Sequence, residues 1–573
     1  MQKNLADLHS VFVPFETVKF EGGTVIYMNE CIDCELNRSK LLEKYSYIIP
    51  NNEGDNPPDT EKKTFLAERY GGDGMLTNGG GARCGFDGRY QLKGLGANRL
   101  VGKRPPDARG NSHANGFLSL DIAIYESIWA EIVNIALPYG AVRTVAIIDL
   151  GIDFEESNAP HARALLVRMP AVRPAHFIRA TYFKEEKNFE LSPDAQRVKS
   201  AIHELVFHLP KTKNDQSYTD IKIQLQDGIV ELARRFAVQF ACAKAKRLFH
   251  ASVSASNLTL NGEWLDLAGA QIYSERCWWE GFNKNEFAQE HLPAISSLRE
   301  ICYYLHKYQI TTYESSNRIS TLLVESFCHT YGEQLSLNNA AQVGFPIGIL
   351  QKLIHEPIFI EFSKYLSEIL RLDNFSLTPI STTFGWKGYE HWMSKLYKQL
   401  LKHTLSGTFQ DYSWLTKDTI LLNKLIPAYK DLFELVFLDA KTKGVTRERL
   451  GTSIAINAIR LNRCDTLLID LHSEIKSIRE NKHLVRKHST YEALFKKAKY
   501  AATLTFKVDE YYLLRLWETE TTILYYDATT DLYTAKLKHD QSSISKPSSQ
   551  ITDHVSFFDE VVSFYNEAME LKP

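Results

Sequence analysis

An amide and a carboxylate lie at the two ends of one short segment, "HASVSASNLTLNGEWLDL" at residues 250–267. Its Asn-Gly pair, Asn261 and Gly262, lies between alternating apolar and polar residues, which predicts a hairpin with a two-residue type I′ turn. In that register Asn257 directly faces Asp266, and opposed Cβ atoms lie about 4.5–5.5 Å apart. Amide and carboxylate oxygens at this separation can share one hard cation such as Mg²⁺. The alternative is an ordinary hairpin whose ends happen to be polar.

A second carboxylate lies on the apolar side of a predicted helix, in the segment "SLDIAIYESIWAEIVNIALPYG". At about 100° per residue, Glu126 falls within the apolar stripe, whereas Glu131 falls on the opposite side, where we expect solvent. The stripe consists of Ile122, Trp129, Val133 and Ala136. Burying an ionised carboxylate is costly unless it is paired. Glu126 therefore needs a cationic partner, unless the stripe ends short of the core.

Lys93, which ends the strand-like segment "GRYQLKG", is the candidate partner of Glu126. A lysine at the end of a strand, taken alone, is nearly always exposed to solvent. Together, a strand lysine and an inward-facing helix glutamate match the ion pair with which kinase folds hold nucleotide phosphates. A stretch with eight glycines between residues 71 and 88 precedes the lysine.

The composition is that of an ordinary globular protein with room for several lobes. The chain has 573 residues, of which 44% are hydrophobic and 24% charged, enough for roughly two to four domains. Its 67 basic and 69 acidic residues give a formal net charge of −2. This balance predicts no electrostatic attraction to nucleic acid or to an anionic membrane.

The sequence also favours the cytoplasm. The most apolar stretch, at residues 129–151, is interrupted by Glu131, Pro138 and Arg143, so we do not expect a membrane span. The first residues show no signal-peptide pattern. Eight scattered cysteines are far too few for a disulfide-stabilised scaffold.

Changes in patterning along the chain predict an α+β protein with four segments. Residues 1–60 form an N-terminal segment that packs on a sheet-rich lobe at residues 61–185. Helical periodicity dominates residues 186–400, which form a second lobe. Residues 401–573 form an extension that is first helical and then mixed, and "YYLLRLWE" with "TTILYYDATTDLYTAKL" resembles a hairpin.

The opening segment also matches the spacing of a kinase catalytic loop, H-R-D-x-x-x-x-N. His250 takes its first position and Asn257 its last. Ser252 stands where the catalytic aspartate would be, and Asp266 stands in the place of the metal-binding aspartate of D-F-G. The pattern is typical of a pseudokinase.

The order and spacing of several motifs resemble the selenoprotein O family of pseudokinase-fold protein adenylyltransferases. The family's G-D-G-R-A turn and Q-L-K-G-A-G strand end resemble "GGGAR" (79–83) and "QLKGLG" (91–96). Its I-R-E-x-x-x-S-E-A helix, H-G-V-x-N-T-D-N-M-S loop and R-x-A-P-S-H-x-R segment resemble "IYESIWAEI", "HASVSASNLT" and "VRMPAVRPAHFIRA". The nine-residue step from Asn257 to Asp266 is the family's own spacing. The resemblance covers roughly residues 12–310.

The resemblance implies a bilobal protein-kinase-like (pseudokinase) fold that binds ATP in a flipped pose and transfers AMP to hydroxyls of a protein or peptide acceptor. Lys93, Glu126 and Asp266 would be the catalytic residues. Asn257 and Asp266 would hold Mg²⁺ or Mn²⁺. The ATP-binding residues would be Gly80, Gly81, Arg83, Lys93, Arg168 and Arg179, with Arg173 as a competitor for the role of Arg168.

Three departures from the family pattern leave a second function open. Ser256 replaces a candidate catalytic base, and Ala268 replaces the glycine of the family's D-Y-G. The last residues, "NEAMELKP", lack the family's terminal selenocysteine or cysteine, so thiol-based regulation is not expected. The alternative to an AMP transferase is therefore an inactive nucleotide-binding pseudokinase that acts as a partner-binding or peptide-maturation accessory protein.

Overall fold

The chain has an α+β fold, with a large antiparallel sheet in its N-terminal region and mostly helices after it. A computed structural model describes residues 3–33, 35–50, 60–72, 78–102, 115–156, 159–180, 193–211, 220–275, 284–372, 376–383, 385–408, 410–416, 419–480, 488–540 and 542–565. The C-terminal "NEAMELKP" lies outside these ranges. Within the described residues, every helix is too short or too polar to span a lipid bilayer.

Eight strands form the large sheet in the order β2-β7-β8-β6-β5-β4-β1-β3, and every neighbouring pair is antiparallel. Their bounds are β1 (Phe12–Lys19), β2 (Thr24–Met28), β3 (Tyr47–Ile48), β4 (Lys62–Glu68), β5 (Cys84–Phe86), β6 (Gln91–Lys93), β7 (Thr144–Glu156) and β8 (Ala159–Arg168). Strands β1 to β3 come from the N-terminal segment, which is thus part of this sheet.

The helices are α1 (Arg38–Tyr45), α2 (Leu120–Ala136), α3 (Pro193–His208), α4 (Ile221–Ala245), α5 (Lys284–Gln289), α6 (Leu292–Lys307), α7 (Tyr313–Gln342), α8 (Ile347–Leu353), α9 (Pro357–Leu370), α10 (Trp392–Ser406), α11 (Thr419–Thr442), α12 (Arg447–Arg460), α13 (Thr466–Ile469), α14 (Leu471–Glu480), α15 (His488–Phe506), α16 (Ser548–Ile551) and α17 (Phe558–Phe564). Three small antiparallel sheets accompany them. Their strands are β9 (Leu248–Phe249) with β10 (Gln271–Ile272), β11 (Leu377–Ser381) with β12 (Lys387–His391) and β13 (Arg463–Asp465), and β14 (Leu513–Glu518) with β15 (Thr522–Asp527), β16 (Leu532–Leu537) and β17 (Ser543–Lys546).

Two large hydrophobic cores contain different helices of the chain. The first core joins one side of the large sheet to α2, α3, α4, α6 and the beginning of α7. The second core holds the end of α7, helices α8 to α12 and the sheet β14–β17. Helices α13 to α15 return to the first core although they follow α12 in sequence. A third, smaller core lies on the other side of the large sheet.

Helix α2 is buried on both sides, and this corrects the prediction for Glu131. Ser119 caps the helix by accepting a hydrogen bond from the Ile122 amide. Helix α15 packs against both α2 and strand β2, and Phe495 on α15 stacks on Tyr27 of β2 with 3.7 Å between ring centroids. Glu131 is therefore buried rather than solvated, only 3% exposed.

The buried Glu131 carboxylate is paired within its own cluster. Arg143 binds it with both Nε, at 2.5 Å, and Nη2, at 2.7 Å. Lys499 on α15 lies 3.5 Å away, and Asn29 donates a hydrogen bond at 3.2 Å. A bidentate guanidinium explains how the fold tolerates a second buried carboxylate on one helix.

Candidate functional site

Lys93, the last residue of β6, lies at the centre of a buried ionic cluster. Its Nζ is 2.7 Å from Glu126 Oε2 on α2 and 2.5 Å from Asp266 Oδ1. The side chains of Lys93 and Glu126 are 4% and 5% exposed. The predicted ion pair between the strand lysine and the helix glutamate is confirmed, and its environment excludes most of the surrounding water.

Arg168, the last residue of β8, makes the same two contacts from the neighbouring strand. Its Nη1 lies 3.2 Å from Glu126 Oε1 and 2.8 Å from Asp266 Oδ1. The register of β6 with β8 places Gln91 opposite Arg168, and Arg168 Nε donates to Gln91 Oε1 at 2.5 Å. Two central strands of the sheet thus present two cations to the same pair of carboxylates.

Arg173 adds a third cation to the cluster. Its fully buried side chain places Nη1 3.5 Å from Asp266 Oδ2. The same nitrogen donates to the Ser256 carbonyl oxygen at 2.9 Å, and the guanidinium lies 4.9 Å from the centre of the Tyr70 ring. These contacts fix the guanidinium between the sheet and the segment that carries Asn257.

The structure places Arg179 in a different ion pair. Arg179 Nε lies 3.3 Å from Asp194 Oδ2, and Arg197 Nη2 lies 2.8 Å from the other oxygen of Asp194. Of the three arginines in "VRMPAVRPAHFIRA", it is Arg168 and Arg173 that contact Asp266. In this structure Arg168 and Arg179 thus lie in separate ion pairs, and their predicted joint role in holding phosphates stays a prediction.

Asp266 is the member of the cluster that reaches solvent. Its side chain is 21% exposed, and its backbone φ of +58° is in the left-handed region, where aspartate is one of the few tolerated residues. Burial raises the pKa of this carboxyl, but Arg168, Lys93 and Arg173 outweigh burial and hold the pKa well below its usual range. The carboxylate is thus ionised and accessible, as a metal ligand must be.

The hairpin that carries Asn257 has a different register from the predicted one. Leu258 bridges Trp264, and the Leu265 amide donates to the Asn257 carbonyl oxygen at 3.0 Å. The loop has three residues and ends at Gly262 with φ +96°, the conformation that a three-residue hairpin loop needs at that position. Asn257 therefore faces Leu265, one residue before Asp266, and the prediction of a two-residue turn is wrong.

The candidate metal ligands are oxygen donors, which suit Mg²⁺ or Mn²⁺. The Asn257 amide nitrogen donates to the Ser252 carbonyl oxygen at 2.7 Å, and its Oδ1 accepts from the Ser256 hydroxyl at 3.3 Å. Among the residues described, no group of three or more histidine, cysteine or acidic side chains could hold a metal ion. Since three cations already surround Asp266, we expect a metal to bind only together with an anion that draws those cations away.

A buried network that the sequence analysis missed holds Arg168 and Arg173, which both donate to Gln91 Oε1. Gln91 Nε2 donates to Glu68 Oε1, and His176 donates from Nε2 to Glu68 Oε2 at 3.0 Å. Nδ1 of His176 accepts from the Arg173 amide at 3.1 Å. Burial lowers the pKa of His176. For Glu68 burial acts in the opposite direction, but the hydrogen bond from His176 and the charge of Arg173 lower its pKa overall. The only signal in the sequence was an acidic residue directly before the glycine-dense stretch.

The glycine-dense stretch contacts the backbone of Glu68, a member of this network. Gly80 has φ +134°, and a Cβ there would overlap the Glu68 carbonyl oxygen. The Gly81 amide donates to the same oxygen at 2.8 Å. Arg83 donates to the Phe117 carbonyl oxygen at 3.1 Å. Gly80 and Gly81 thus lie beside the Glu68–Gln91 support of the cluster, whereas the contact of Arg83 is with the segment leading to α2.

We expect Lys93 and Glu126 to be energetically coupled. In a double-mutant cycle of Lys93→Met and Glu126→Gln, the interaction energy should be about 0.5–3 kcal/mol, since the two groups are in direct contact. Arg168 also binds Glu126, so either single change should cost less than the about 3–5 kcal/mol of a fully orphaned buried charge. Denaturant unfolding measures each stability. In the matched cycle of Lys93→Met with Glu131→Gln, the two stability changes should be additive. An interaction energy between Lys93 and Glu131, with none between Lys93 and Glu126, would contradict the pairing of Lys93 with Glu126.

A second expectation concerns Glu290, which orients the start of the hairpin segment. Its Oε1 accepts from the His250 amide at 2.8 Å and from the Ala251 amide at 2.9 Å. Burial raises the pKa of Glu290 from 4.5 to about 8. A carboxyl whose folded pKa is raised binds its proton more tightly in the folded state. The contribution of this carboxyl to the stability of the folded state is thus complete at pH values below the unfolded pKa. It is lost as the pH rises through the folded pKa.

Glu290→Gln keeps the acceptor oxygen and removes the titration. The stability of the variant relative to the unsubstituted chain should therefore increase from about pH 5 to pH 9. Urea unfolding at several pH values measures this difference. Parallel stability curves for the two proteins would show that Glu290 does not titrate in this range.

The cluster brings together Lys93, Glu126, Arg168 and Asp266, and adds Arg173, at the end of two central strands. With Glu68, three cations lie among three carboxylates in a site whose side chains, apart from that of Asp266, are almost fully buried. A scan against protein-family models and a search of curated proteins find no match to this chain.

Proposed function

We propose that this chain binds ATP with Mg²⁺ or Mn²⁺ at the Lys93 cluster and transfers AMP to a hydroxyl group of a protein or peptide. One observation carries the proposal: Lys93 on a sheet strand bridges Glu126 on a helix and Asp266 after a hairpin. A strand lysine, a helix glutamate and a metal-binding aspartate are the combination with which protein kinases hold the phosphates and metal ions of ATP. The antiparallel sheet region followed by helices is compatible with a bilobal kinase-like fold.

The charges of the cluster support a phosphate ligand. Guanidinium groups offer paired donors that match phosphate oxygens, and Arg168 and Arg173 each donate a hydrogen bond to Gln91 Oε1. Phosphates would draw Lys93, Arg168 and Arg173 away from Asp266. The aspartate oxygens would then be available to a metal ion, with Asn257 Oδ1 as the second protein ligand. The bound metal would neutralise charge on the phosphates.

The proposed reaction is a nucleotidyl transfer. The acceptor hydroxyl oxygen forms a bond to the α-phosphorus, and the bond from the α-phosphorus to the α,β-bridging oxygen breaks. Pyrophosphate leaves with the electron pair, and the hydroxyl proton passes to solvent. Because such transfers depend mainly on positioning and charge stabilisation, a site without a carboxylate base loses only about 10²–10⁴-fold in rate.

A second candidate function is nucleotide binding without catalysis, and the serines at 252 and 256 favour it. Ser256 Oγ lies 2.9 Å from Ser254 Oγ and donates to Asn257 Oδ1 at 3.3 Å. Neither serine can act as a general base in the way that an aspartate does. In this case the chain would act as a partner-binding or peptide-maturation accessory protein.

Labelled ATP distinguishes the two functions. The full chain is incubated with Mn²⁺, candidate acceptor proteins and ATP labelled on the α- or the γ-phosphate, and products are read by intact mass. We expect a product that carries AMP and the α-label, with release of pyrophosphate. Transfer of the γ-label would contradict the flipped pose. ATP binding without any labelled product would favour the non-catalytic function.

A further inference from the structure

A cavity of about 370 Å³ lies between the two large cores, away from the Lys93 cluster. The end of α4 and helix α5 form one side, and the end of α7 with α9 and α10 forms the other. Small-molecule sites typically have volumes of about 300–1,000 Å³ and often lie where two domains meet. The size and position of this cavity are therefore those of a ligand site.

The lining of the cavity is strongly basic. Lys244, Arg247, Lys284 and Arg371 line it, and none of the described residues that line it is acidic. The chain as a whole carries a formal charge of only −2, so this concentration of cations is local. The Lys244 ammonium has three N–H donors. One of them is directed to the Ala288 carbonyl oxygen at 3.2 Å.

The rest of the wall is partly polar, through Asn339, Gln342 and Ser367, and otherwise apolar. The large apolar side chains are Phe287, Leu335, Leu370, Met393 and Tyr397, of which Phe287, Met393 and Tyr397 are buried. Burial lowers the pKa of Lys244, although the nearby Glu290 acts in the opposite direction. An anion bound beside Lys244 would offset the cost of keeping this ammonium charged.

We propose that this cavity binds a small organic anion, with a carboxylate or phosphate head beside Lys244 and Arg371 and a hydrocarbon or aromatic body against Leu370 and Tyr397. The volume corresponds to about a dozen water molecules, which excludes a folded macromolecule. The cavity is separate from the Lys93 cluster, and α4 leads in sequence through Arg247 and β9 to His250, at the start of the segment that carries Asn257. The ligand site does not depend on the AMP-transferase function.

Decanoate tests the proposal, because it has one carboxylate and one hydrocarbon chain. Isothermal titration with the full chain should show saturable binding of one molecule. Decan-1-ol lacks the anionic head and inorganic phosphate lacks the hydrocarbon chain, so both should bind much more weakly. Lys244→Gln combined with Arg371→Gln should weaken decanoate binding about 10- to 100-fold, as expected for lost charge-assisted hydrogen bonds. Lys402→Gln, a change on the exposed side of α10, should have no effect.

A second variant separates the cavity from any nonspecific apolar surface. Ser367→Trp keeps every charge but fills the cavity, and it should also abolish binding. Asp266→Asn should leave decanoate binding unchanged, since it alters only the proposed ATP site. The proposal is overturned if no saturable binding occurs up to about 1 mM decanoate. It is equally overturned if the charge variants or Ser367→Trp, folded by circular dichroism, bind as tightly as the unsubstituted chain.

Discussion

ATP and Mn²⁺ together should stabilise the folded chain by far more than the sum of their separate effects. In the structure Asp266 contacts Lys93, Arg168 and Arg173, so a divalent cation alone meets three positive charges. ATP alone supplies phosphates for those cations but leaves its own negative charge uncompensated beside Asp266 and Glu126. When ATP and Mn²⁺ bind together, the phosphates pair with the three cations and the metal ion pairs with Asp266. A ligand at 100 times its dissociation constant adds about 2.7 kcal/mol to the stability.

Thermal unfolding with ATP, with Mn²⁺ and with both measures this synergy. Asp266→Asn removes the charge of the proposed metal ligand while keeping the side-chain shape, and it should eliminate the part of the shift that needs metal. Its effect is judged by the shift and not by the melting temperature itself, because the change leaves buried cations underpaired. Asp153→Asn, at an exposed position of β7, is the matched control. If millimolar ATP and Mn²⁺ produce no shift in the unsubstituted chain, it does not bind nucleotide at this site.

The ion pair of Lys93 with Glu126 could be predicted because burial energetics act at the level of single residues. Glu126 interrupts an apolar stripe, and an inward carboxylate requires a cation. The same reasoning failed for Glu131 because helical periodicity assumes that a helix has one buried face. Helix α15, more than 350 residues later in the chain, covers the other face. Such a contact leaves no trace in the local pattern of α2.

The register of the hairpin could not be fixed from its turn residues. Asn-Gly fits a two-residue loop, but a glycine with positive φ also ends a three-residue loop. The two solutions differ by one residue, and such a shift turns every side chain of the strand to the other face. Asp266 still reaches the cluster, and its backbone φ of +58° is not that of a regular strand residue. A contact between Asp266 and Lys93 therefore depends on tertiary structure rather than on the hairpin.

The choice among three arginines also depends on distant residues. Arg173 contacts Asp266 while Tyr70, two residues after β4, and Gln91 on β6 contact its guanidinium. Arg179 is engaged by Asp194 at the start of α3. The spacing of the arginines within "VRMPAVRPAHFIRA" indicates neither the contacts of Arg173 nor those of Arg179. In contrast, the pattern of "YYLLRLWE" with "TTILYYDATTDLYTAKL" was sufficient to predict a hairpin, and the structure confirms it, since β14 pairs with β15, and β15 with β16, within a four-stranded sheet.

Removing the Arg173 guanidinium should nearly abolish any AMP product, whereas removing that of Arg179 should not. Arg173 and Arg168 are the guanidinium groups that contact Asp266, so they are placed to hold the phosphates of a nucleotide bound there. Loss of one donor that stabilises developing charge typically costs about 10²–10³-fold in rate. Arg173→Gln should therefore reduce α-label transfer by at least about 10²-fold, and Arg168→Gln should do the same.

Arg179→Gln is the matched control from the same segment. It leaves Asp194 paired with Arg197, so α-label transfer should change by less than about 10-fold. Because Arg173 is fully buried, Arg173→Lys is included to keep the charge, and all variants are assayed well below their melting temperatures. Equal losses for Arg173→Gln and Arg179→Gln would show that both arginines hold the phosphates and that the ligand-bound contacts differ from those in this structure.

Ser256→Asp should raise the AMP transfer or leave it unchanged. The Ser256 carbonyl oxygen accepts from Arg173 at 2.9 Å, so a carboxylate at this position would lie beside the cluster and could accept the proton of the acceptor hydroxyl. A general base contributes about 10²–10⁴-fold when proton transfer limits the rate. Ser254→Asp, two residues away, is the positional control. If Ser256→Asp instead produces transfer of the γ-label, the nucleotide lies in the ordinary kinase orientation, because the γ-phosphate rather than the α-phosphate then faces the acceptor.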